Sequence, residues 1–172
     1  MSIVRAYHAR DADAIKSLIL RGTGLPESSA RNNWLGRGIY FWDSDPRRAE
    51  RWQAMHGKGG ILECDIEKEV LIDMLCDDQR SRHFFQLAQA VSLPEKPAND
   101  RSSEYFARDG EIVNRVRPAL QEMGYCGIRM AFCLGKPVAK EGNLFPDQHI
   151  QICLWDSSVI RNPRQYIPGL GG

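Results

Sequence analysis

The chain has 172 residues, of which 42% are hydrophobic and 26% are charged, and its formal net charge is +1. This balance is typical of one globular domain and argues against intrinsic disorder, while the small net charge neither indicates nor excludes a nucleic-acid partner. No apolar run approaches the roughly 20 residues of a membrane span, and residues 1–10 lack the apolar core of a secretory signal. We therefore predict a single cytoplasmic domain over residues 1–172 that has no membrane partner.

The N-terminal part of the chain predicts a strand, a helix and a loop. Residues 3–8 alternate loosely between apolar and polar side chains, which is typical of a short strand. Asp11 is suited to cap a helix that carries apolar residues on one face and ends at Gly22. Residues 26–37 are mostly polar and predict a loop.

A second strand and a second helix are predicted next. Residues 38–42 (Gly-Ile-Tyr-Phe-Trp) predict an aromatic strand. Pro46 after a run of capping residues predicts a helix that extends to about Met55. We expect this helix to bury Ala49 and Trp52. Its opposite face carries three arginines that we expect to be solvated, namely Arg47, Arg48 and Arg51.

The middle of the chain predicts a pair of strands and a third helix. Residues 61–66 and 69–75 are rich in apolar and β-branched side chains, so they predict two short strands. Asp77 or Asp78 is suited to cap a helix that extends through Val91.

The C-terminal half predicts one more helix and two more strands. Residues 92–110 predict a long loop, of a length that is often functional. A helix is predicted over residues 111–123 and strands over 125–134 and 149–155, before a tail over 162–172 that we expect to fray. Strands at both ends of the chain, with helices between them, indicate an α+β architecture rather than repeated βαβ units.

The five cysteines and four histidines indicate neither a disulfide framework nor a metal centre. The cysteine count is odd, no Cys-x-x-Cys pair occurs, and most of the cysteines lie in apolar runs. These features are typical of buried thiols in a reducing compartment. The histidines have no metal-ligand spacing relative to the cysteines, so we predict no metal.

Three stretches of the chain together carry a more specific signal. Residues 36–42 (Gly-Arg-Gly-Ile-Tyr-Phe-Trp) precede a helix that carries Ala49, the first strand ends in His8, and Gln151 opens an apolar strand that Asp156 follows five positions later. In order and placement these stretches resemble the poly(ADP-ribose)-polymerase-like ADP-ribosyltransferases, which have a diphtheria-toxin-like fold and a His-Tyr-Glu triad. The resemblance implies two small packed antiparallel sheets, flanked by helices, around a cleft that binds NAD.

The resemblance also implies a role for individual residues. His8 would hydrogen-bond a hydroxyl of the adenine-side ribose, and the backbone of Ala9 would meet the nicotinamide carboxamide. Tyr40 would stack on the nicotinamide ring, with Trp52 near a second stacking position. Gln151 would bind the 2′-hydroxyl of the nicotinamide ribose and orient the acceptor. His8, Tyr40 and Gln151 are thus the implied catalytic residues, and NAD is the implied substrate.

This chain departs from the family pattern at two of these positions. Ala9 replaces a glycine, which backbone contacts tolerate if the φ angle of Ala9 is negative. Gln151 replaces the glutamate, and an amide cannot act as a base. Gln148 would occupy the third position if the register shifted by three, and His149 is expected on the same strand face as Gln151. Gly38 is an implied cofactor-binding position, although a Gly-x-Gly before a strand is more often a turn.

We therefore predict a mono-ADP-ribosyltransferase that acts on a protein or nucleic-acid acceptor. The family resemblance further implies a small bacterial or phage protein that serves as a toxin or a defence effector, with a cognate antitoxin or inhibitor as a partner. Three alternatives stay open: an NAD glycohydrolase, an RNA 2′-phosphotransferase on the same fold, and an inactive domain that binds a nucleotide or a partner.

Overall fold

The computed structural model describes residues 2–22, 24–30, 33–57, 59–93, 105–134, 138 and 145–169. Over these residues the chain forms strands and helices in a mixed order, which confirms an α+β protein. The seven strands are β1 (Ile3–Arg10), β2 (Ile39–Asp43), β3 (Gly60–Glu67), β4 (Leu71–Asp73), β5 (Gly127–Leu134), β6 (Asp147–Leu154) and β7 (Arg161–Gln165). The four helices are α1 (Ala12–Arg21), α2 (Pro46–His56), α3 (Gln79–Gln89) and α4 (Tyr105–Glu122).

The seven strands belong to one sheet rather than to two separate ones. Their order is β4-β5-β6-β2-β1-β3-β7, and every neighbouring pair is antiparallel except the parallel pair β4 and β5. The prediction of two sheets is therefore wrong for the described residues. The reason lies at the centre, because β1 and β2 still pair over a short length and so join the two halves.

The junction between β1 and β2 is short and opens towards one end. The two strands pair only as Ala6 with Asp43 and Tyr7 with Trp42, whereas β1 pairs with β3 over its whole length. The carbonyl of Arg5 accepts a hydrogen bond from the Ser44 amide at 2.8 Å. Backbone groups alternate sides along an antiparallel strand, so Ala9 directs its N–H and C=O to the same side as Arg5. At the level of Ala9, β2 no longer pairs with β1.

The predicted helix boundaries are largely confirmed, for local reasons. The carboxylate of Asp11 accepts from the amides of Asp13 and Ala14 at the start of α1, and Gly22 ends that helix at φ 64°. Asp78, rather than Asp77, caps α3 in a capping box with Ser81.

The predicted loop over residues 92–110 is wrong at its C-terminal end, because α4 begins at Tyr105. Gly110 lies inside this helix, where a β-carbon would come within 2.1 Å of the Asn33 carbonyl oxygen. Gly110 is thus needed for close packing between α4 and the segment that contains Asn33 and Gly36. Residues 94–104 of the predicted loop lie outside the described residues.

The predicted fraying tail is also partly wrong. Residues 161–165 form β7, which pairs with the outer edge of β3. Beyond it the Tyr166 hydroxyl donates to Glu50 Oε1 at 2.8 Å, so helix α2 fixes the end of the strand. A polar segment becomes a strand here because β3 offers it unpaired backbone groups.

Apolar cores cover both faces of the sheet. One core contains Phe41 and Ile152 and includes α1, and the opposite one contains Cys153 and Leu120 and includes α3 and α4. All five cysteines are free; Cys64 and Cys153 are buried as expected, but Cys76 and Cys133 are exposed. None of the described helices combines the length and apolar character needed to cross a bilayer.

Candidate functional site

A cleft of about 960 Å³ opens where β1 and β2 separate. This volume is in the range of small-molecule binding sites. Its wall includes every position that the sequence singled out for catalysis or cofactor binding, namely His8, Ala9, Gly38, Tyr40, Trp52 and Gln151. The structure thus brings together residues from both ends and the first third of the chain.

His8 lines this cleft as a neutral ring with one unprotonated nitrogen. Its Nδ1 lies 2.7 Å from the carbonyl oxygen of Tyr40. A carbonyl only accepts, so Nδ1 carries the proton and donates, and Nε2 of the neutral ring is left unprotonated. Burial lowers the pKa of His8 to about 4, which keeps the ring neutral. Nε2 is buried and has no hydrogen-bond partner among the described residues.

Ala9 has the negative φ angle that allows alanine to stand at a position where the resemblance expects glycine. Only Ser44 and Asn162 have positive φ angles among the described non-glycine residues, so φ of Ala9 is negative. In a continued ladder the N–H of Ala9 would face the Tyr40 carbonyl, but the His8 ring has taken that acceptor instead. The amide and carbonyl of Ala9 therefore point into the opening between the strands.

Tyr40 is held at its hydroxyl end. The hydroxyl donates to the Gly36 carbonyl at 2.8 Å and accepts from the Leu35 amide at 3.0 Å. Burial raises the pKa of this hydroxyl, so it stays protonated and keeps both bonds. The half-buried ring is thereby fixed against the cleft, as a stacking surface requires.

Gly38 lines the cleft, but its backbone is already used. Its carbonyl accepts from the Ser28 amide at 2.8 Å, and its amide donates to the Ser28 carbonyl at 3.3 Å. A β-carbon at this position would lie 2.6 Å from the Leu154 carbonyl oxygen and 2.5 Å from Cys153 Sγ. The geometry therefore favours a packing role, close approach of β2 to β6, over the implied contact with a cofactor.

Gln151 is the glutamine that faces the cleft. Its Oε1 accepts from the indole Nε1 of Trp34 at 2.7 Å, and its Nε2 lies 2.9 Å from Nε2 of His149. The predicted shared face with His149 is thus confirmed. Gln148 is exposed and donates to the Phe145 carbonyl at 3.2 Å. Gln151, and not Gln148, therefore lines the cleft.

Helix α2 contributes Trp52 to the cleft wall. Trp52 stacks on His56 with ring centroids 4.1 Å apart and an interplanar angle of 18°, and both rings line the cleft. The expectation that all three arginines on this helix are solvated is wrong for Arg48. This side chain is partly buried and pairs with Asp45 and Asp147.

Two aromatic residues of the cleft were not predicted. Trp34 is buried and Phe132 packs on it with ring centroids 4.4 Å apart. Trp34 lies in the segment predicted as a polar loop, where the apolar pair with Leu35 is the only signal that the chain turns inward.

A smaller polar cavity of about 500 Å³ lies beside the cleft, and its polar groups are largely engaged. Asn114 Oδ1 accepts from the Arg37 amide at 2.7 Å, and Arg117 pairs with Glu27. The described residues contain no group of three or more His, Cys, Asp or Glu side chains that could hold a metal ion. The larger cleft is thus the stronger candidate.

Comparisons with protein-family models, curated proteins and solved structures find no match for this chain.

Proposed function

We propose that this protein is an NAD-dependent mono-ADP-ribosyltransferase. It would cleave the bond between nicotinamide and ribose and transfer ADP-ribose to a macromolecular acceptor, a protein or a nucleic acid. The observation that carries the proposal is the cleft between β1 and β2, which collects His8, Ala9, Tyr40 and Gln151 and in which Nε2 of His8 has no partner among the described residues.

The unused nitrogen of His8 favours a ligand that carries a hydroxyl. An unprotonated imidazole nitrogen accepts a hydrogen bond, and a buried acceptor without a partner costs about 1–3 kcal/mol. A ribose hydroxyl that donates to Nε2 would recover this free energy. The pKa of about 4 means that the acceptor is present at neutral pH.

The backbone of Ala9 and the ring of Tyr40 suit a nicotinamide group. A carboxamide has a donor and an acceptor side by side, and Ala9 directs an N–H and a C=O to the same side of its strand. The fixed ring of Tyr40 provides a flat surface for the pyridinium ring. Trp34, Trp42 and Trp52 supply further aromatic wall.

Gln151 suits a reaction in which the bond between nicotinamide and ribose breaks before the acceptor bonds to the ribose. Departing nicotinamide takes the electron pair of its bond to C1′ and leaves an oxocarbenium-like ribose. Gln151 can hold the 2′-hydroxyl through its carbonyl oxygen and keep the ribose oriented. An amide cannot take the proton of the acceptor, so this proton would pass to solvent once the acceptor has bonded to C1′.

The test uses NAD labelled in its adenylate half, the purified protein and a cell lysate, with products treated separately with protease and nuclease. The expected result is nicotinamide release and label on one class of macromolecule, both lost in Tyr40→Ala and Gln151→Ala. Gln148→Ala is the matched control, because Gln148 is exposed on the same strand and lies outside the cleft.

Other outcomes identify the alternatives. Free labelled ADP-ribose without labelled macromolecule would indicate a glycohydrolase. NAD binding in calorimetry without turnover would favour a binding domain. The absence of both NAD binding and nicotinamide release would overturn the proposal.

A further inference from the structure

Gln151 is the middle member of a hydrogen-bonded chain of three side chains that links strand β6 to the segment before β2. The indole nitrogen of Trp34 lies 2.7 Å from Oε1 of Gln151, and Nε2 of Gln151 lies 2.9 Å from Nε2 of His149. Phe132 packs against both outer members, with its ring centroid 4.4 Å from that of Trp34 and 5.3 Å from that of His149. Both ends of the amide are therefore held by protein groups.

The direction of this chain follows from Trp34. An indole N–H can only donate, so the oxygen of Gln151 must face it and the amide nitrogen must face His149. The amide nitrogen can only donate, so Nε2 of His149 must be unprotonated. The neutral His149 ring then carries its proton on Nδ1, which is buried and has no partner among the described residues. Reversing any one member would place two donors or two acceptors together.

The surroundings of His149 keep its ring neutral. Burial, and then the positive charge of Arg48, lower its pKa to about 4, while Asp45 opposes this shift. Arg48 is itself paired with Asp45 and Asp147, so the carboxylates near His149 are already engaged by a guanidinium. A neutral acceptor on this side of Gln151 is therefore available throughout the neutral pH range.

We propose that Trp34 and His149 are positioning residues that fix the orientation of the Gln151 side chain. They hold the amide of Gln151 in one orientation, which leaves one lone pair of Oε1 and one N–H of Nε2 for the ligand. A carboxylate at this position would accept from Trp34 equally well. Its second oxygen would face Nε2 of His149, so the neutral ring would have to carry its proton on Nε2 instead of Nδ1.

The proposal predicts an unusual outcome for the change to the residue type that the family resemblance expects. Gln151→Glu should move the proton of His149 from Nδ1 to Nε2, because a carboxylate oxygen can only accept a hydrogen bond. The new negative charge should also raise the pKa of His149.

The first arm of the test needs no NAD and uses nitrogen NMR of the free, uniformly labelled protein. We expect His149 to be protonated on Nδ1 and unprotonated on Nε2 from pH 7 to pH 5. We also expect the side-chain amide protons of Gln151 to exchange more slowly than those of the exposed Gln148. A proton on Nε2 of His149, or equal exchange at the two glutamines, would overturn the proposal.

The second arm rests on the proposed function and measures nicotinamide release. Trp34→Phe and His149→Phe keep an aromatic ring but remove the donor and the acceptor, and each should lower kcat/KM about tenfold, the effect of one hydrogen bond. His149→Gln places a carbonyl oxygen near the position of Nε2 and should recover most of this loss. A purely structural role of His149 would give no such recovery.

The two arms separate the two proposals. Loss of the NMR signature contradicts the positioning role, whatever the activity. The NMR signature without any NAD cleavage in the wild-type protein contradicts the proposed function and leaves the positioning of Gln151 intact. Should a variant fail to fold, the NMR measurement on the wild-type protein still decides.

Discussion

Two sets of buried polar groups lie along strand β2, and they differ in charge and in how completely they are hydrogen-bonded. At the C-terminal end of β2, Asp43 shares a buried Arg129 with Asp73, with N–O distances of 2.7–2.9 Å. The carboxylates also accept from the Ser44 hydroxyl and the Leu75 amide. This cluster is charged, and its carboxylate oxygens and guanidinium are bonded within the protein.

The other set, His8 with the Tyr40 carbonyl and His149 with Gln151, is neutral and incomplete. His8 and His149 have pKa values near 4, and each leaves one buried ring nitrogen without a partner among the described residues. One of these nitrogens accepts and the other donates. The comparison teaches that a complete charged network indicates a structural role, whereas an incomplete neutral group in a cleft wall, such as His8, indicates a place for a ligand.

The largest effect is expected from breaking the complete cluster. Arg129→Met would leave two buried carboxylates without their cation and should lower the free energy of unfolding by about 3–5 kcal/mol. Urea unfolding followed by circular dichroism measures this, with Gln148→Ala as the control variant. A loss below about 1 kcal/mol would mean that the cluster does not join β2, β4 and β5 as described.

Because the buried His8 ring is neutral, the free energy of unfolding should depend on pH. The folded-state pKa of His8 is about 4, below its ordinary value of 6.5, so between these values the unfolded chain binds a proton that the folded chain does not. The stability that His8 contributes is thus complete above pH 6.5 and is lost as the pH falls towards 4. Between pH 7.5 and pH 5 the loss should be about 2 kcal/mol.

The measurement for His8 is urea unfolding at both pH values for the wild-type protein and for His8→Asn. The variant has no titrating ring at this position, so its stability should fall by about 2 kcal/mol less over the same interval. Equal pH dependence of the two proteins would mean that His8 is exposed enough to ionise in the folded state.

The smallest expected effect concerns Nε2 of His8, which has no partner among the described residues. In His8→Asn the amide nitrogen takes the place of Nδ1 and can still donate to the Tyr40 carbonyl, while the acceptor Nε2 is lost. We expect a weakening of NAD binding of about tenfold in calorimetry, with the stability at pH 7.5 changed by less than about 1 kcal/mol. Unchanged affinity would show that Nε2 does not contact the ligand.

The candidate residues of the cleft could be read from the sequence because each lies in a short local pattern. His8 ends an alternating strand, Tyr40 lies in an aromatic run, and Gln151 alternates with Ile150 and Ile152. Trp34 could not be predicted as a partner of Gln151, because the two residues are 117 positions apart. Gly38 was interpreted through the resemblance, whereas its close contact with Leu154 depends on how β6 packs beside β2.

The sequence by itself determined the elements whose signals are local: β1, the capped ends of α1 and α3, the aromatic strand β2 and the apolar face of β6. These follow from side-chain periodicity and from hydrogen bonds between residues a few positions apart. Only the tertiary structure decided that the strands form one sheet, that residues 161–165 become β7, and that His149 holds Gln151. Each of these depends on which backbone edges and buried polar groups of distant segments are left to satisfy one another.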